Sequence, residues 1–186
     1  MIDEFNADRS GWARFSDDRV MRYRLGRALI NVVDPDNVEY AWKTGGKLWR
    51  RCVFLLLNPS TADAFKLDPT VKRCVAFARA WGADVLEVVN IFALRSTDPK
   101  ELYKRAWGER GDDVDNDKAI VEACTGAYRV VAGWGKHGAL GNRGAVVRRM
   151  LADCGVKLHH LGLNGDRTPK HSLYIKGGTE PQEWTL

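Results

Sequence analysis

Cys52-Val-Phe-Leu-Leu-Leu-Asn58-Pro59-Ser60-Thr61-Ala62-Asp63 is an apolar run that stops abruptly at a turn. An unbroken apolar segment of this length, bounded by turn residues, reads as a strand buried on both faces. Pro59 lacks a backbone N–H and keeps Asn58 out of helical geometry, so the strand ends there. A helix then begins near Asp68-Pro69. A strand feeding a loop feeding a helix N-terminus is where open α/β sheets place ligands. The rest of the chain reads as scaffold and partners for this loop.

Downstream, Val71, Cys74, Val75, Ala78 and Trp81 recur at helical spacing over Thr70 to Trp81, and Gly82 supplies a C-cap. Val85-Leu-Glu-Val-Val-Asn90 is a second buried strand, so strand, helix and strand form a parallel, right-handed βαβ unit. Asp98-Pro99 opens a short helix, and Asp115 caps another from about Asn116 to Cys124. Tyr128 to Gly133 is the third strand, a helix runs from about Asn142 to Asp153, and Lys157 to Leu161 is the fourth strand. Upstream, residues 1 to 18 read as an arm or short helix anchored by Phe5, Trp12 and Phe15. Arg22 to Val33 reads as a strand of mixed alternation, Asp34-Pro35-Asp36-Asn37 as a turn, Val38 to Trp42 as continued pairing and Gly45-Gly46 as a second turn. The expected fold is a three-layer α/β/α sandwich around a mostly parallel four-stranded central sheet, with an N-terminal antiparallel extension. It is one domain over 1–186: an arm and meander over 1–50, a core over 51–176 and a tail over 177–186.

A chain of 186 residues suits one domain with a sizeable core. With 45% hydrophobic and 28% charged residues the composition is that of an ordinary soluble protein and excludes disorder. No apolar run approaches membrane-spanning length, so no membrane partner is expected. The polar, acidic start Met-Ile-Asp-Glu-Phe-Asn is unlike a signal peptide, and the expected location is the cytoplasm. A net charge of +5 is compatible with a phosphate-bearing partner without requiring one. Cys52, Cys74, Cys124 and Cys154 contain no C-x-x-C pair and read as structural thiols, with Cys52 and Cys154 as small buried hydrophobes. His159 and His160 are adjacent on a strand and face opposite sides, and no H-E-x-x-H appears. No metal and no cofactor is expected, and the chain is expected to act as a monomer.

Four loops follow the carboxyl ends of the four strands, and all should meet at one sheet edge. Asn90 closes an apolar strand; its carboxamide could read a pyrimidine edge or simply cap a turn. Asn58 could orient a water, and Asp63 or Asp68 could act as a base; turn formation and helix capping are the competing roles. Pro59, Ser60 and Thr61 complete that loop, with hydroxyls and backbone N–H groups able to meet a phosphate. Ser60 is not in a G-x-S-x-G elbow, which argues against a covalent nucleophile. Gly133, Trp134 and His137 form the third loop, and Phe92 could stack on a base. His171 and Ser172 lie in the last loop, where a histidine could stabilise negative charge on a leaving group. Arg95, Lys136, Arg143 and Lys170 are candidate phosphate contacts, although basic residues on helices more often form a solvated face.

The blocks LNPSTAD at 57–63, DPT at 68–70, VVNIFALRSTDP at 88–99, VVAGWGKHG at 130–138 and LGLNGDRTPKHSLY at 161–174 resemble a domain family of unknown function, DUF1643. The order of blocks is more distantly similar to the uracil-DNA glycosylase superfamily. That resemblance implies a glycosylase-like core and a DNA partner. It gives Asn58 the water-positioning role, Asn90 the base-reading role and His171 the support of the departing base. Pro169 stands two residues before His171, and no aspartate adjoins Pro59, so the blocks depart from that superfamily's pattern. The expected function is hydrolysis of the N-glycosidic bond of a modified base in DNA. A non-catalytic nucleotide-binding module and a hydrolase or transferase of free nucleotides are the alternatives.

Overall fold

The computed structural model describes residues 1–7, 10–29 and 49–185. Among them run eight strands: β1 (Ile2–Phe5), β2 (Gly11–Phe15), β3 (Arg22–Ala28), β4 (Arg51–Leu56), β5 (Val85–Asn90), β6 (Arg129–Ala132), β7 (Leu158–His160) and β8 (Gln182–Glu183). The helices are α1 (Pro69–Ala80), α2 (Val114–Cys124) and α3 (Arg143–Asp153), with short 3-10 segments at Pro99–Lys104, Lys136–Asn142 and Ser172–Tyr174. The expected turns at 34–37 and 45–46 and the pairing at 38–42 lie outside the described residues.

One mixed sheet joins all eight strands in the order β1-β2-β3-β5-β4-β6-β7-β8. The pairings β1–β2, β2–β3, β3–β5 and β7–β8 are antiparallel, whereas β5–β4, β4–β6 and β6–β7 are parallel. This corrects the expected architecture. The sheet is not a mostly parallel four-stranded one; it has twice that many strands, and antiparallel pairings outnumber parallel ones. The N-terminal segment is not an extension beside the core, because β3 pairs directly with β5. Residues 1 to 18 are not an arm or helix but contribute β1 and β2. The C-terminal tail supplies β8, with His159 opposite Glu183 and His160 opposite Gln182.

The N-terminal strands are hard to read as sheet interior because they are rich in arginine. Arg22, Arg24 and Arg27 are all buried. Arg24 pairs with Glu87, which is fully buried on β5, and Arg51 Nε lies 3.8 Å from the same carboxylate. A buried carboxylate between two guanidiniums is compensated rather than isolated. Gly26 has no Cβ for a packing reason: a Cβ there would sit 1.9 Å from Trp12 Cε2.

Strand alternation divides the core. Cys52, Phe54 and Leu56 face one side, where Val71, Cys74, Phe77 and Ala78 of α1 cover them. Val53, Leu55 and Leu57 face the other side, under Ile120 and Ala123 of α2 and Val147 and Leu151 of α3. Helix α1 begins where Asp68 Oδ1 accepts the Val71 N–H at 2.8 Å, with Pro69 in the first turn. Helix α2 begins two residues earlier than expected, because Asp113 rather than Asp115 is the cap. Cys52, Cys74 and Cys124 are buried, but Cys154 is exposed at the end of α3 and is not the buried hydrophobe expected. Burial raises the thiol pKa of all three buried cysteines, Cys74 to about 12.

Candidate functional site

A cavity of about 480 Å³ opens where the loops after β4, β5, β6 and β7 converge. The loop after β4 contributes Leu57, Asn58 and Ser60, and the first turn of α1 adds Thr70. The loop after β5 contributes Ser96, Thr97 and Pro99. Trp134, Gly135, Lys136 and His137 follow β6, while Asn164, His171, Leu173 and Tyr174 follow β7. Among the described residues no carboxylate lines the cavity.

Backbone bonds hold the four loops together. Ile91 and Phe92 donate to the carbonyls of Leu56 and Leu57 at 2.9 and 3.0 Å. Ser96 donates to Pro59 at 2.8 Å, and Gly135 to Pro169 at 2.9 Å. Pro59 thus serves the site through its carbonyl, with its ring buried.

Asn58 is fixed by one end of its carboxamide. Nδ2 donates to the carbonyl of Ser96 at 2.9 Å and reaches those of Pro59 at 3.2 Å and Leu94 at 3.5 Å. Oδ1 has no hydrogen-bond donor among the described residues, so an acceptor atom of fixed orientation is left over. His171 is oriented through Nδ1, which accepts the Leu173 N–H at 3.3 Å. The ring proton of the neutral form therefore sits on Nε2. Burial holds the His171 pKa below its ordinary value, opposed by the negative charge of Asp68. A neutral imidazole with a donating Nε2–H is the resulting species. His137 Nδ1 lies 2.9 Å from the Tyr103 hydroxyl, with the two rings edge to face.

Trp134 forms a wall and is 2% exposed. Its indole lies against two glycines, since a Cβ on Gly138 would meet Trp134 Cδ1 at 2.0 Å and one on Gly144 would meet Nε1 at 2.9 Å. Behind it packs Trp184, with ring centroids 5.5 Å apart, so the strand β8 segment buttresses the cavity.

The cavity brings together Asn58, Ser60, Trp134, Lys136, His137 and His171 of the residues expected from sequence. Others go elsewhere. Asn90 is 1% exposed, and its Oδ1 accepts from Arg22 Nη2 at 3.2 Å, which removes it from base reading. Phe92 is fully buried in the core below α2 and α3, so it is no stacking surface. Asp63 Oδ1 accepts the N–H groups of Phe65 and Lys66 at 2.9 and 2.8 Å and forms a turn rather than a base. Thr61 is exposed outside the cavity, and Gly133 is buried behind it with Leu56 Cδ2 3.2 Å from where a Cβ would stand. Ser172 is 1% exposed, with its hydroxyl 3.6 Å from Cys74 Sγ. Arg143 is 1% exposed, donates to the Ile91 carbonyl at 2.8 Å and pairs with Asp117, so it is no phosphate contact. Arg95 is half-buried, donates to the Arg19 carbonyl at 3.1 Å and lies over the Phe15 ring. Lys170 is exposed but does not line the cavity.

Sequence reasoning singled out none of Thr70, Ser96, Thr97 and Tyr103, and reached Asn164 only as the start of the last loop. Ser96 and Thr97 carry a signal, since they directly precede the helix start at Asp98-Pro99; Tyr103 has none short of the fold. No group of three or more His, Cys, Asp or Glu side chains is placed to hold a metal among the described residues. No helix there is long and apolar enough to cross a membrane.

The chain is thus an α/β protein with a mixed sheet and a neutral-to-basic cavity at the carboxyl edge of its parallel strands. It belongs to the family described as protein of unknown function, DUF1643, whose model matches residues 39–173. No curated protein and no solved structure matches the chain. The more distant similarity to the uracil-DNA glycosylase superfamily gains no support from these comparisons, and the mixed eight-stranded sheet departs from the architecture it implied.

Proposed function

We propose that the chain hydrolyses the N-glycosidic bond of a modified base in DNA. The observation that carries this reading is the pairing, in one cavity, of a fixed acceptor with a neutral donor: Asn58 Oδ1 and His171 Nε2–H. Asn58 would hold a water against C1′ of the sugar. The C1′–N bond breaks with its electron pair leaving on the base, and His171 Nε2–H would support the charge that builds on a base carbonyl oxygen. The water oxygen then bonds to C1′, its proton passes to solvent, and the departed base takes a proton from solvent. Asn58 cannot accept that proton, so the bond must be largely broken before water adds. This favours a base whose substituent makes it a better leaving group, hence a modified one.

The test is to incubate the full chain with oligonucleotides carrying individual modified pyrimidines and to measure released base and abasic sites. Release that is lost in Asn58→Ala and in His171→Ala is the expected result. Absence of release across such a panel overturns the reading. A second reading, a non-catalytic module that binds a nucleotide or modified base, is favoured by one observation. Among the described residues no carboxylate lines the cavity to act as a general base. Tight binding of the modified base without release is its signature.

A further inference from the structure

The cavity holds a second carboxamide that the chemistry above does not use. Asn164 lines the wall after β7, half-buried, on a loop that closes on itself. Its backbone N–H donates to the Thr168 carbonyl at 2.9 Å, its carbonyl accepts the Arg167 N–H at 2.9 Å, and the Lys170 N–H donates to the Gly162 carbonyl at 2.9 Å. The side chain is fixed as well. Nδ2 donates to the Thr168 carbonyl at 3.3 Å and to the Thr168 hydroxyl at 3.0 Å. That hydroxyl can only accept from Asn164, because its own proton goes to Asp166 Oδ1 at 2.6 Å. Asp166 also accepts the Thr168 N–H at 3.1 Å, and these bonds hold its carboxyl below the ordinary pKa, so it is an anion with no proton to give. Both partners of Nδ2 are thus acceptors, which settles which end of the carboxamide faces them. Oδ1 is left over: no donor reaches it among the described residues, and it is not enclosed.

We infer that Asn164 is the residue that reads the base, its Oδ1 accepting from an exocyclic amino group, so that the ligand of this cavity is a cytosine-type aminopyrimidine rather than a uracil-type one. A carboxamide free at both ends reads a ring N–H and the neighbouring carbonyl together; Asn164 has its donor engaged and offers a lone acceptor. A cytosine-type ring carries one carbonyl, which the proposed function gives to His171 Nε2–H, and one amino group, which falls to Asn164. A uracil-type ring carries two carbonyls, and the second would face the Asn164 oxygen with no proton between them. The hydroxyls of Ser60, Thr70 and Thr97 can rotate to donate or accept, so they favour neither ring. The inference rests on the proposed function in taking the ligand to carry a pyrimidine and in the role of His171. It concerns recognition and not bond cleavage.

The experiment is calorimetric titration of the full chain with 2′-deoxycytidine, 2′-deoxyuridine and N4,N4-dimethyl-2′-deoxycytidine, each as the free nucleoside and as the single base of an otherwise abasic short strand. The cytosine ligand is expected to bind at least about tenfold tighter than the uracil ligand, a difference of roughly 1.4 kcal/mol. Dimethylation removes both amino protons and is expected to abolish that advantage. Asn164→Leu should bring the cytosine and uracil ligands to equal affinity. Thr168→Val deletes one of the two acceptors that orient the carboxamide and should narrow the preference while Asn164 stays in place. The dimethylated ligand probes the unaltered chain, so the outcome does not hang on a variant's folding. Equal binding of cytosine and uracil ligands, a preference for uracil, a preference that survives dimethylation or Asn164→Leu, or no binding of any of these ligands overturns the inference. Because nothing is scored by released base, a cytosine preference that needs Asn164 but comes without release refutes the hydrolase reading alone. Release of base from a protein that binds both rings equally refutes the inference alone.

Discussion

The Nδ2 atom of Asn58 stands 2.9 Å from the carbonyl oxygen of Ser96, and this bond ties the loop after β4 to the loop after β5. The two loops come from neighbouring parallel strands, so one carboxamide sets both the spacing of two cavity walls and the direction of its own free oxygen.

Replacing Asn58 by alanine should therefore have two separable effects. Loss of the hydrogen bonds should lower stability by about 1–2 kcal/mol, read by denaturant unfolding. Base release, if the proposed chemistry holds, should fall on the order of 10²-fold or more, beyond what that loss explains. Asn58→Asp should be worse for stability than alanine, because it sets a carboxylate against the carbonyls of Ser96, Pro59 and Leu94.

Asn90 makes the opposite prediction. Its oxygen is bound to Arg22, a fully buried guanidinium whose pKa burial lowers to about 10. Arg22 Nε already has no hydrogen-bond partner among the described residues. Asn90→Ala removes a further one and should cost about 1–3 kcal/mol of stability. Ligand affinity of the protein that remains folded should not change, and a specific loss of base discrimination in calorimetry would return Asn90 to the site.

Stability should decline with acid through two histidines. The pKa values of His171 and His160 are both depressed by burial, His160 further by His159. A depressed histidine binds its proton more weakly folded than unfolded. As pH falls below the ordinary value of 6.5, the unfolded chain protonates first and stability drops. Above that value the two groups contribute nothing. Thermal melts from pH 8 to pH 5 should show this slope, and His171→Asn should flatten part of it.

Glu87 sits between Arg24 and Arg51 with no exposed surface. Glu87→Ala leaves two buried guanidiniums facing an apolar gap, and a loss of about 3–5 kcal/mol is expected from chemical denaturation. Combining it with Arg24→Met should recover part of that loss, because the uncompensated charge goes with the arginine.

Gly138→Ala should push the Trp134 indole from its seat and destabilise by about 1–3 kcal/mol, the usual range for overpacking. Quenching of tryptophan fluorescence by added iodide should rise in the variant as Trp134 loses its cover.

The apolar runs of β4 and β5 and the turn residues that end them were legible because periodicity and proline act locally. The meeting of four loops at one edge followed from them. What sequence could not display was the fate of polar groups whose partners lie far along the chain. Asn90 looks like a reader of bases until Arg22, from another strand, is found against it. Arg22, Arg24 and Arg27 give their strand only a mixed alternation until Glu87 and the carbonyls of Ala62 and Asp63 are found to accept from them. The full extent of the sheet was hidden in part for the same reason, since β3 buries Arg22, Arg24 and Arg27 beside its apolar Tyr23 and Leu25. Tyr103 entered the site only through a contact across 34 residues.

Each wall of the cavity hangs from a different strand, and the sheet beneath is closed by its own arginines and aliphatic side chains. Ligand preference can consequently drift one connection at a time, with the platform left untouched. A set of homologous chains holding the same scaffold could diverge widely in what they recognise, and grafting one loop between them is a practical route to exchanging that recognition.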